Sequence, residues 1–317
     1  MKLGWVYHER FLDHDTGPGH VERPERLEVI ASSLRGAGLL SQMVPVSFEP
    51  AGIDAVCRVH EPAYVDLVRM ACEQGMEWIG STETRISSRS FDVALLAAGG
   101  VIAACDAVMD GRIDAAFCAV RPPGHHAERD AAGGYCLFNN VAVAAEHLIR
   151  AHGVQRVAIV DFDAHHGNGT QHIFEERADV LYASLHEHPR FLFPGTGWPG
   201  EVGRGAGEGF TVNVPLAPGS EDGDFRAALS ETVLPALDGF RPGFLLISAG
   251  FDAAAGEEAA HLSLSAQGFA DITRELAAAA RRACGGRLVS ILEGGYNSEN
   301  LKQCVPAHVR ALLDAGP

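Results

Sequence analysis

The densest group of chemically active side chains lies in segment 157–170, which reads VAIVDFDAHHGNGT. Four apolar residues, three of them β-branched, predict a buried strand that ends in acids, histidines and glycines. Such polar groups are costly to bury beside a sheet unless they are paired or bind a metal. Asp163 and His165 are two positions apart, so on extended backbone they point to the same side. A carboxylate and an imidazole placed in this way are two ligands of a typical catalytic zinc site.

A third ligand must come from another segment, and Asp252 is the natural candidate. It ends the apolar run LLISAGF at 245–251, with Gly250 shortly before it. We predict that Asp163, His165 and Asp252 hold zinc and leave a fourth position open, as in catalytic rather than structural sites. Taken alone, Asp252 would fit a helix N-cap equally well.

A second histidine pair, His125 and His126, follows the stiff sequence RPPG. We predict an acid–base pair, in which one imidazole takes a proton from water and the other donates one to a leaving nitrogen. Asp161 and Asn168 are the available partners for these rings. A carboxylate raises the pKa of a histidine more than an amide does, so the two rings should be electrostatically unequal. Two half-buried loop histidines are the alternative interpretation.

Three aromatic residues complete the set. Tyr296 lies in the sequence EGGYN, where two glycines allow a tight turn that aims the phenol into the site. There it could donate a hydrogen bond to a developing oxyanion. Tyr135 and Phe193 lie on glycine-rich loops and could wall a narrow tunnel around an aliphatic chain. The alternative is that these rings simply anchor their loops to the core.

The elements that must position these residues alternate between strands and helices. Alternation with apolar strands predicts a single α/β domain over 1–317, with a mostly parallel sheet and helices on both faces. The polar motifs follow four of the strands at their carboxyl ends, where open parallel sheets bind ligands. Residues 190–209 should form a long loop. The predicted strands are 115–120, 156–161, 180–184, 210–214, 244–248 and 288–292, and the predicted helices are 25–37, 63–73, 92–109, 139–151, 224–237, 266–283 and 298–313.

Composition narrows the class of protein. The formal charge of −16 argues against a nucleic-acid partner. Seven cysteines without C-x-x-C spacing indicate a reduced compartment. The first ten residues lack an apolar stretch of signal-peptide length, and the run 93–105 is too short for a membrane span, so we expect a cytoplasmic protein without a membrane partner. Eleven histidines outside the motifs, His147 and His152 among them, are predicted to be surface or structural.

With these motifs in view, the chain resembles the zinc-dependent histone deacetylase superfamily. It is most similar to the bacterial class II-like branch that includes acetylpolyamine amidohydrolases. The resemblance implies the arginase/deacetylase α/β fold, in agreement with the reading from the residues. The matching segments keep the family order and span nearly the whole chain: 22–27, 121–127, 134–140, 161–170, 193–197, 248–253 and 293–297.

The resemblance also implies roles for individual residues. It implies zinc on Asp163, His165 and Asp252, and Tyr296 as the group that polarises the carbonyl. The acid–base pair is then His125, with Asp161 behind it, and His126, with Asn168 behind it. The substrate residues implied are Gly134, Tyr135 and Phe193 along an acyl-lysine channel, with Glu83 as a candidate for contact with the substrate backbone. Two potassium sites are implied, one at Asp161, Asp163, His165, Ser184 and Leu185 and one at Phe174, Arg177, Val180 and Phe210.

These observations predict a zinc amidohydrolase that removes acetyl or related acyl groups from acyl-lysine or acetylated amines. An acetylpolyamine-specific enzyme is the alternative within this class. Polyamine-selective relatives place an acid at the channel rim, where this chain has Ala259 with Glu258 beside it. A two-metal ureohydrolase, which shares the fold, is disfavoured because Asn168 and Gly250 replace two of its acids. A non-catalytic acyl-amine-binding module is a third alternative, and a homo-oligomer is compatible with the family.

Overall fold

A computed structural model describes residues 1–316, and its centre is an all-parallel sheet of eight strands. Every strand in this sheet pairs in parallel with its neighbours, as predicted from the strand–helix alternation. The strands are β1 (Leu3–Val6), β2 (Met43–Pro45), β5 (Ala115–Cys118), β6 (Val157–Asp161), β7 (Val180–Glu187), β8 (Thr211–Leu216), β9 (Phe244–Ala249) and β10 (Leu288–Leu292), and β3 (Trp78–Ile79) and β4 (Ser81–Arg85) form a separate antiparallel pair. The order across the main sheet is β2-β1-β5-β10-β9-β6-β7-β8.

Helices flank the sheet on both sides. Every residue of β5, β6, β9 and β10 is buried, which requires cover on both faces. The helices are α1 (Glu25–Gly36), α2 (Ile53–Val56), α3 (Pro62–Glu73), α4 (Ser90–Met109), α5 (Asn140–His152), α6 (Asn168–Phe174), α7 (Asp222–Ala228), α8 (Leu234–Phe240), α9 (Ala266–Cys284) and α10 (Ser298–Asp314). Helix α4 packs against α5, and α10 packs against both α9 and α1.

The apolar helix α4 begins two residues before the predicted helix 92–109 and ends at the predicted residue. Among the described residues it is the one helix whose length and composition would allow it to cross a membrane, and 72% of that stretch is buried against the rest of the protein. Gly99 and Gly100 lie inside it, where an added Cβ on Gly99 would lie 2.0 Å from the Glu49 carbonyl oxygen. The helix is therefore a core element, as its composition predicts.

The predicted helix 224–237 was wrong in one respect. The structure places α7 and α8 there, joined by a π-helical turn at Leu229–Val233. Pro235 explains the change, because it has no backbone N–H to continue the regular hydrogen-bond ladder. Short elements such as β1, β2 and α6 were not predicted. Residues 190–209 form the expected loop, which includes a short 3₁₀ helix at Gly205–Gly207.

The sheet order explains how distant motifs meet. The four motif-bearing strands β5, β10, β9 and β6 are neighbours at the centre of the sheet. Their carboxyl ends therefore deliver segments 121–126, 293–297, 250–252 and 161–170 to one edge. This arrangement brings residues from four parts of the chain into a single site.

Candidate metal and catalytic site

Asp163, His165 and Asp252 come together as predicted and can hold a metal ion. One ligand atom of each lies within 4.8 Å of the others. The His165 Nδ1 atom is 3.1 Å from Asp163 Oδ1 and 3.0 Å from Asp252 Oδ2. Burial and the neighbouring Asp163 carboxylate raise the pKa of Asp252, whereas the Asp252 and Asp163 carboxylates raise the pKa of His165 to about 10. Two carboxylates and one imidazole are a donor set that fits zinc.

Two glycines make room for these carboxylates. A Cβ on Gly250 would lie 2.0 Å from Asp163 Oδ2, and a Cβ on Gly294 would lie 2.3 Å from Asp252 Oδ2. No side chain of any other residue type fits either position without moving a ligand. The Gly294 N–H also donates to Asp163 Oδ2 at 2.8 Å. Both glycine loops are therefore part of the cradle that the metal ligands need.

His125 is paired with Asp161, as predicted. The His125 Nδ1 atom lies 3.0 Å from Asp161 Oδ2, which also accepts from the Tyr182 hydroxyl at 3.1 Å. Burial alone would lower the pKa of His125, but the carboxylates of Asp161 and Asp163 outweigh it and raise the pKa to about 10. His125 is therefore the positively charged member of the pair.

His126 is paired with Asn168, and a residue that the sequence did not single out orients the amide. The Asn168 Nδ2 atom donates to Glu128 Oε1 at 2.6 Å, so Asn168 Oδ1 faces His126 Nδ1 at 2.7 Å. An amide oxygen can only accept, hence Nδ1 carries the proton and Nε2 of the neutral ring is free to accept one. Burial and the charged His125 hold the pKa of His126 well below its usual range.

Tyr296 lies on a loop that is held by its backbone. Its N–H donates to Glu257 Oε1 at 3.1 Å, while Arg26 donates to the Gly295 and Glu293 carbonyl oxygens at 2.7 and 2.6 Å. The Arg26 guanidinium also lies 4.9 Å from the centroid of the phenol ring. Burial and the nearby Asp252 carboxylate raise the pKa of Tyr296, so its hydroxyl remains a proton donor.

A buried ion cluster fixes Arg26 in turn. Glu22 Oε1 accepts from Arg26 at 2.9 Å, and Glu22 binds Arg121 through both oxygens at 2.5 and 2.7 Å. All three side chains are almost fully buried. Arg121 begins the loop that carries the histidine pair, and Arg26 holds the tyrosine loop. This cluster thus couples the two catalytic loops through one carboxylate.

The predicted channel residues lie around the same site. The Phe193 ring is 5.1 Å from the His126 ring, and the Tyr135 ring meets the Tyr296 ring edge-on at 5.7 Å. Tyr135 has a positive φ of 67°, a conformation unusual for an aromatic residue and one typical of functional positions. Glu83 is exposed and lies near Tyr135. His20 joins the two residues, since it contacts the Glu83 carbonyl oxygen at 2.9 Å and the Tyr135 ring at a centroid distance of 4.9 Å.

Gly134 packs so closely against His126 that a side chain at this position should disturb the imidazole. Its φ is +51°, and a Cβ there would lie 2.2 Å from Cδ2 of His126. We expect Gly134→Ala to push the imidazole out of position and to lower kcat by about 10²-fold. Gly133→Ala is the matched control, because its Cβ would meet no atom within 4 Å. Equal kcat for both variants in a steady-state assay would contradict this role for Gly134.

The residues implied for potassium lie in two groups on and around β7. Ser184 pairs with Asp161 across β6 and β7, and Leu185 follows it. At the second group, Arg177 N–H donates to the Phe174 carbonyl oxygen at 2.9 Å, and Tyr182 N–H donates to the Phe210 carbonyl oxygen at 2.9 Å. Val180 begins β7 between these two contacts. The geometry leaves both potassium sites as predictions.

Three glutamates support the site without having been predicted. Glu293 Oε2 accepts from the Gly124 and His125 N–H groups at 2.7 and 3.1 Å, which fixes the start of the histidine pair. Glu128 orients Asn168, and Glu257 holds the Tyr296 loop. Glu293 begins the EGGYN motif that follows a predicted strand, so its position at the strand end could have marked it as a site residue. Glu128 and Glu257 had no signal in spacing, because only the folded chain brings them to their partners.

The carboxyl edge of the parallel sheet thus carries a two-Asp, one-His cradle, a histidine pair and a tyrosine. This arrangement could support metal-assisted hydrolysis of an amide. The histone deacetylase domain model matches residues 20–312. The chain therefore belongs to the histone deacetylase family and has the arginase/deacetylase fold. It is a hydrolytic enzyme of this family, which acts on acetylated amides.

Individual relatives agree with this family. The chain is 42% identical to a probable deacetylase of Archaeoglobus fulgidus over 94% of its own length and 82% of that protein. It is 39% identical to the human polyamine deacetylase HDAC10 over 99% of its length, although it spans only 48% of that protein. The crystal structure of the HDA15 HD domain superposes on this chain with a TM-score of 0.94 at 38% sequence identity. The match covers all of this chain and 91% of that domain structure.

Proposed function

We propose that this protein is a zinc-dependent deacetylase that hydrolyses the amide of an acetylated amine to acetate and the free amine. The observation that carries the proposal is the convergence of a metal cradle, two unequal histidines and a tyrosine at one sheet edge. Asp163, His165 and Asp252 would hold the ion. When bound, zinc polarises the amide carbonyl and promotes ionisation of water.

The histidines and the tyrosine divide the remaining work. His126 accepts a proton from the attacking water at Nε2, because its Nδ1 proton is committed to Asn168. The water oxygen bonds to the carbonyl carbon, and Tyr296 donates a hydrogen bond to the carbonyl oxygen as negative charge develops. His126 then returns its proton to the leaving nitrogen as the C–N bond breaks. His125 stays protonated against Asp161 and stabilises the negative charge.

Exchanging the partners behind His126 tests its role as the base. We expect the double variant Asn168→Asp with Glu128→Gln to keep the hydrogen-bond chain while giving His126 a carboxylate partner. A carboxylate raises the pKa of His126, so more of it is protonated at a given pH. Because the base must be neutral, the acid limb of kcat/KM should move to higher pH.

Glu128→Gln alone is the control for this experiment. It leaves Asn168 in place but frees its amide to rotate, so we expect a loss of about 10 to 100-fold without the upward shift. A pH profile of kcat/KM measured for the wild type and both variants decides the matter. An acid limb that does not move in the double variant would show that His126 is not the base.

The substrate class is the finer question, and an acetylpolyamine is the second candidate. A cavity of about 540 Å³ opens beside Tyr135 and Tyr296. Glu258 lines it, is exposed, and has no ion pair within residues 1–316. An unpaired carboxylate in the lining of this cavity favours a substrate with a cationic tail. The similarity to a protein named for polyamine deacetylation points the same way.

The experiment compares substrates side by side. The zinc-loaded protein would be assayed for kcat/KM on an acetyl-lysine peptide, N-acetylputrescine and N-acetylspermidine. Hydrolysis of any of these that disappears on chelation and returns with zinc supports the proposed function. If the protein prefers the polyamines and Glu258→Gln weakens that preference, the result supports Glu258 as the residue that selects cationic substrates. Zinc-loaded protein that binds but hydrolyses none of them would contradict the proposal.

The potassium ions that the resemblance implies remain part of this proposal. Their positions would use Asp161, Ser184 and Leu185 near the cradle and Phe174 with Phe210 near the start of β7. Structural potassium should raise the unfolding temperature. Thermal unfolding in potassium chloride compared with choline chloride at equal ionic strength tests this, and equal midpoints would argue against these sites.

A further inference from the structure

A second group of metal-binding side chains lies on helices α4 and α5, outside the catalytic site. Asp106 on α4 faces His147 and His152 on α5, and both Nε2 atoms lie 2.6 Å from Asp106 Oδ1. The two imidazole rings are 5.4 Å apart and nearly perpendicular. The three donor atoms all lie within 4.8 Å of one another, as they do in the catalytic cradle.

The position of this cluster differs from that of the catalytic site. His152 ends α5, and β6 begins a few residues later at Val157, so the cluster lies toward the amino edge of the sheet. The catalytic residues follow the carboxyl end of the same strand. The side chains are half-buried, with 17% of His147, 20% of His152 and 36% of Asp106 exposed. An ion could therefore reach them from solvent and still be sheltered by the helices.

We propose that Asp106, His147 and His152 form a second site for a divalent transition ion of the zinc type. Two imidazole nitrogens and one carboxylate oxygen are ligands that zinc accepts, whereas calcium and magnesium require oxygen ligands. Tetrahedral zinc would separate these ligand atoms by about 3.3 Å. Each of the two contacts with Asp106, now 2.6 Å long, must therefore lengthen by less than one ångström, and the partial exposure of the side chains permits it.

The ion would link two helices that already pack together. Helix α4 is the apolar core helix, and α5 begins at Asn140, whose amide donates to the Pro122 carbonyl oxygen in the catalytic histidine loop. The protein carries a formal charge of −16, which favours cation binding. Spacing gave no hint of this cluster, because residues five apart on a helix point about 140° from each other.

Metal counting in a two-by-two set of variants tests the site. Each protein would be dialysed against buffered zinc and its bound zinc measured by atomic emission. We expect two zinc ions per chain in the wild type, one in His147→Gln/His152→Gln, one in Asp252→Asn, and none when all three changes are combined. His8→Gln, a histidine outside both clusters, should keep two ions.

The set separates this inference from the proposed function. If the wild type and the double-histidine variant bind the same number of zinc ions, the second site is overturned. This holds whatever the zinc content of Asp252→Asn. Asp252→Asn losing all bound zinc would overturn it as well. Asp106→Asn provides an isosteric check against misfolding, since it removes the carboxylate while both histidines remain. In an Asp252→Asn background, added zinc should raise the unfolding temperature, and Asp106→Asn should abolish that rise.

Discussion

Tyr296→Phe should lower kcat by about 10² to 10³-fold while leaving the zinc content unchanged. That loss is the usual effect of removing one donor to an oxyanion. The substitution removes only the hydroxyl. Phenylalanine keeps the backbone N–H bond to Glu257 and the contact of the ring with Arg26. KM should change little, because the hydrogen bond strengthens only as charge develops on the carbonyl oxygen.

Tyr7→Phe is the matched control for this variant. Tyr7 follows β1 and stacks on Trp5, and its hydroxyl makes no hydrogen bond to residues 1–316. Steady-state kinetics and metal analysis would be run on both proteins together. Wild-type kcat in Tyr296→Phe would remove the phenol from the mechanism. A parallel loss of zinc would instead show that the loop change disturbed the cradle.

The candidate catalytic residues could be predicted because their positions depend on local backbone geometry and on the strand order of a parallel sheet. Asp163 and His165 share one side of an extended segment, and the carboxyl edge of a parallel sheet collects the ends of its strands. These two rules were enough to add Asp252, His125 and Tyr296 from three other segments. The structure confirms that the sheet places the strands before all of these motifs side by side.

The supporting contacts were not predictable for an equally physical reason. Glu22 and Arg121 are 99 positions apart, and Glu128 and Asn168 are 40 apart. No periodicity links such pairs, because their contact depends on how loops pack rather than on the repeat of a helix or strand. Resemblance marked the segment around Glu22 as a matching piece without saying what it does. The structure shows that this glutamate joins the two arginines that hold the catalytic loops.

Asp252→Asn should abolish activity and cost one zinc ion per chain relative to the wild type. The amide retains an oxygen that can accept the Ala164 N–H, now bonded at 2.9 Å to Asp252 Oδ1. It removes the negative charge that faces Asp163 and His165. In the metal-free protein, burial already raises the pKa of Asp252. Neutralising a destabilised carboxylate should therefore leave the chelated protein about as stable as the chelated wild type.

Zinc binding then separates function from folding in this variant. Adding zinc should raise the unfolding temperature of the wild type more than that of Asp252→Asn, because binding to the folded state stabilises it in proportion to affinity. Asp238→Asn, an exposed acid on α8, is the control and should respond as the wild type does. An Asp252→Asn protein that keeps wild-type zinc content and hydrolyses acetylated amines would show that Asp252 is not a ligand. The cradle would then have to be rebuilt around Asp163 and His165 with a different third residue.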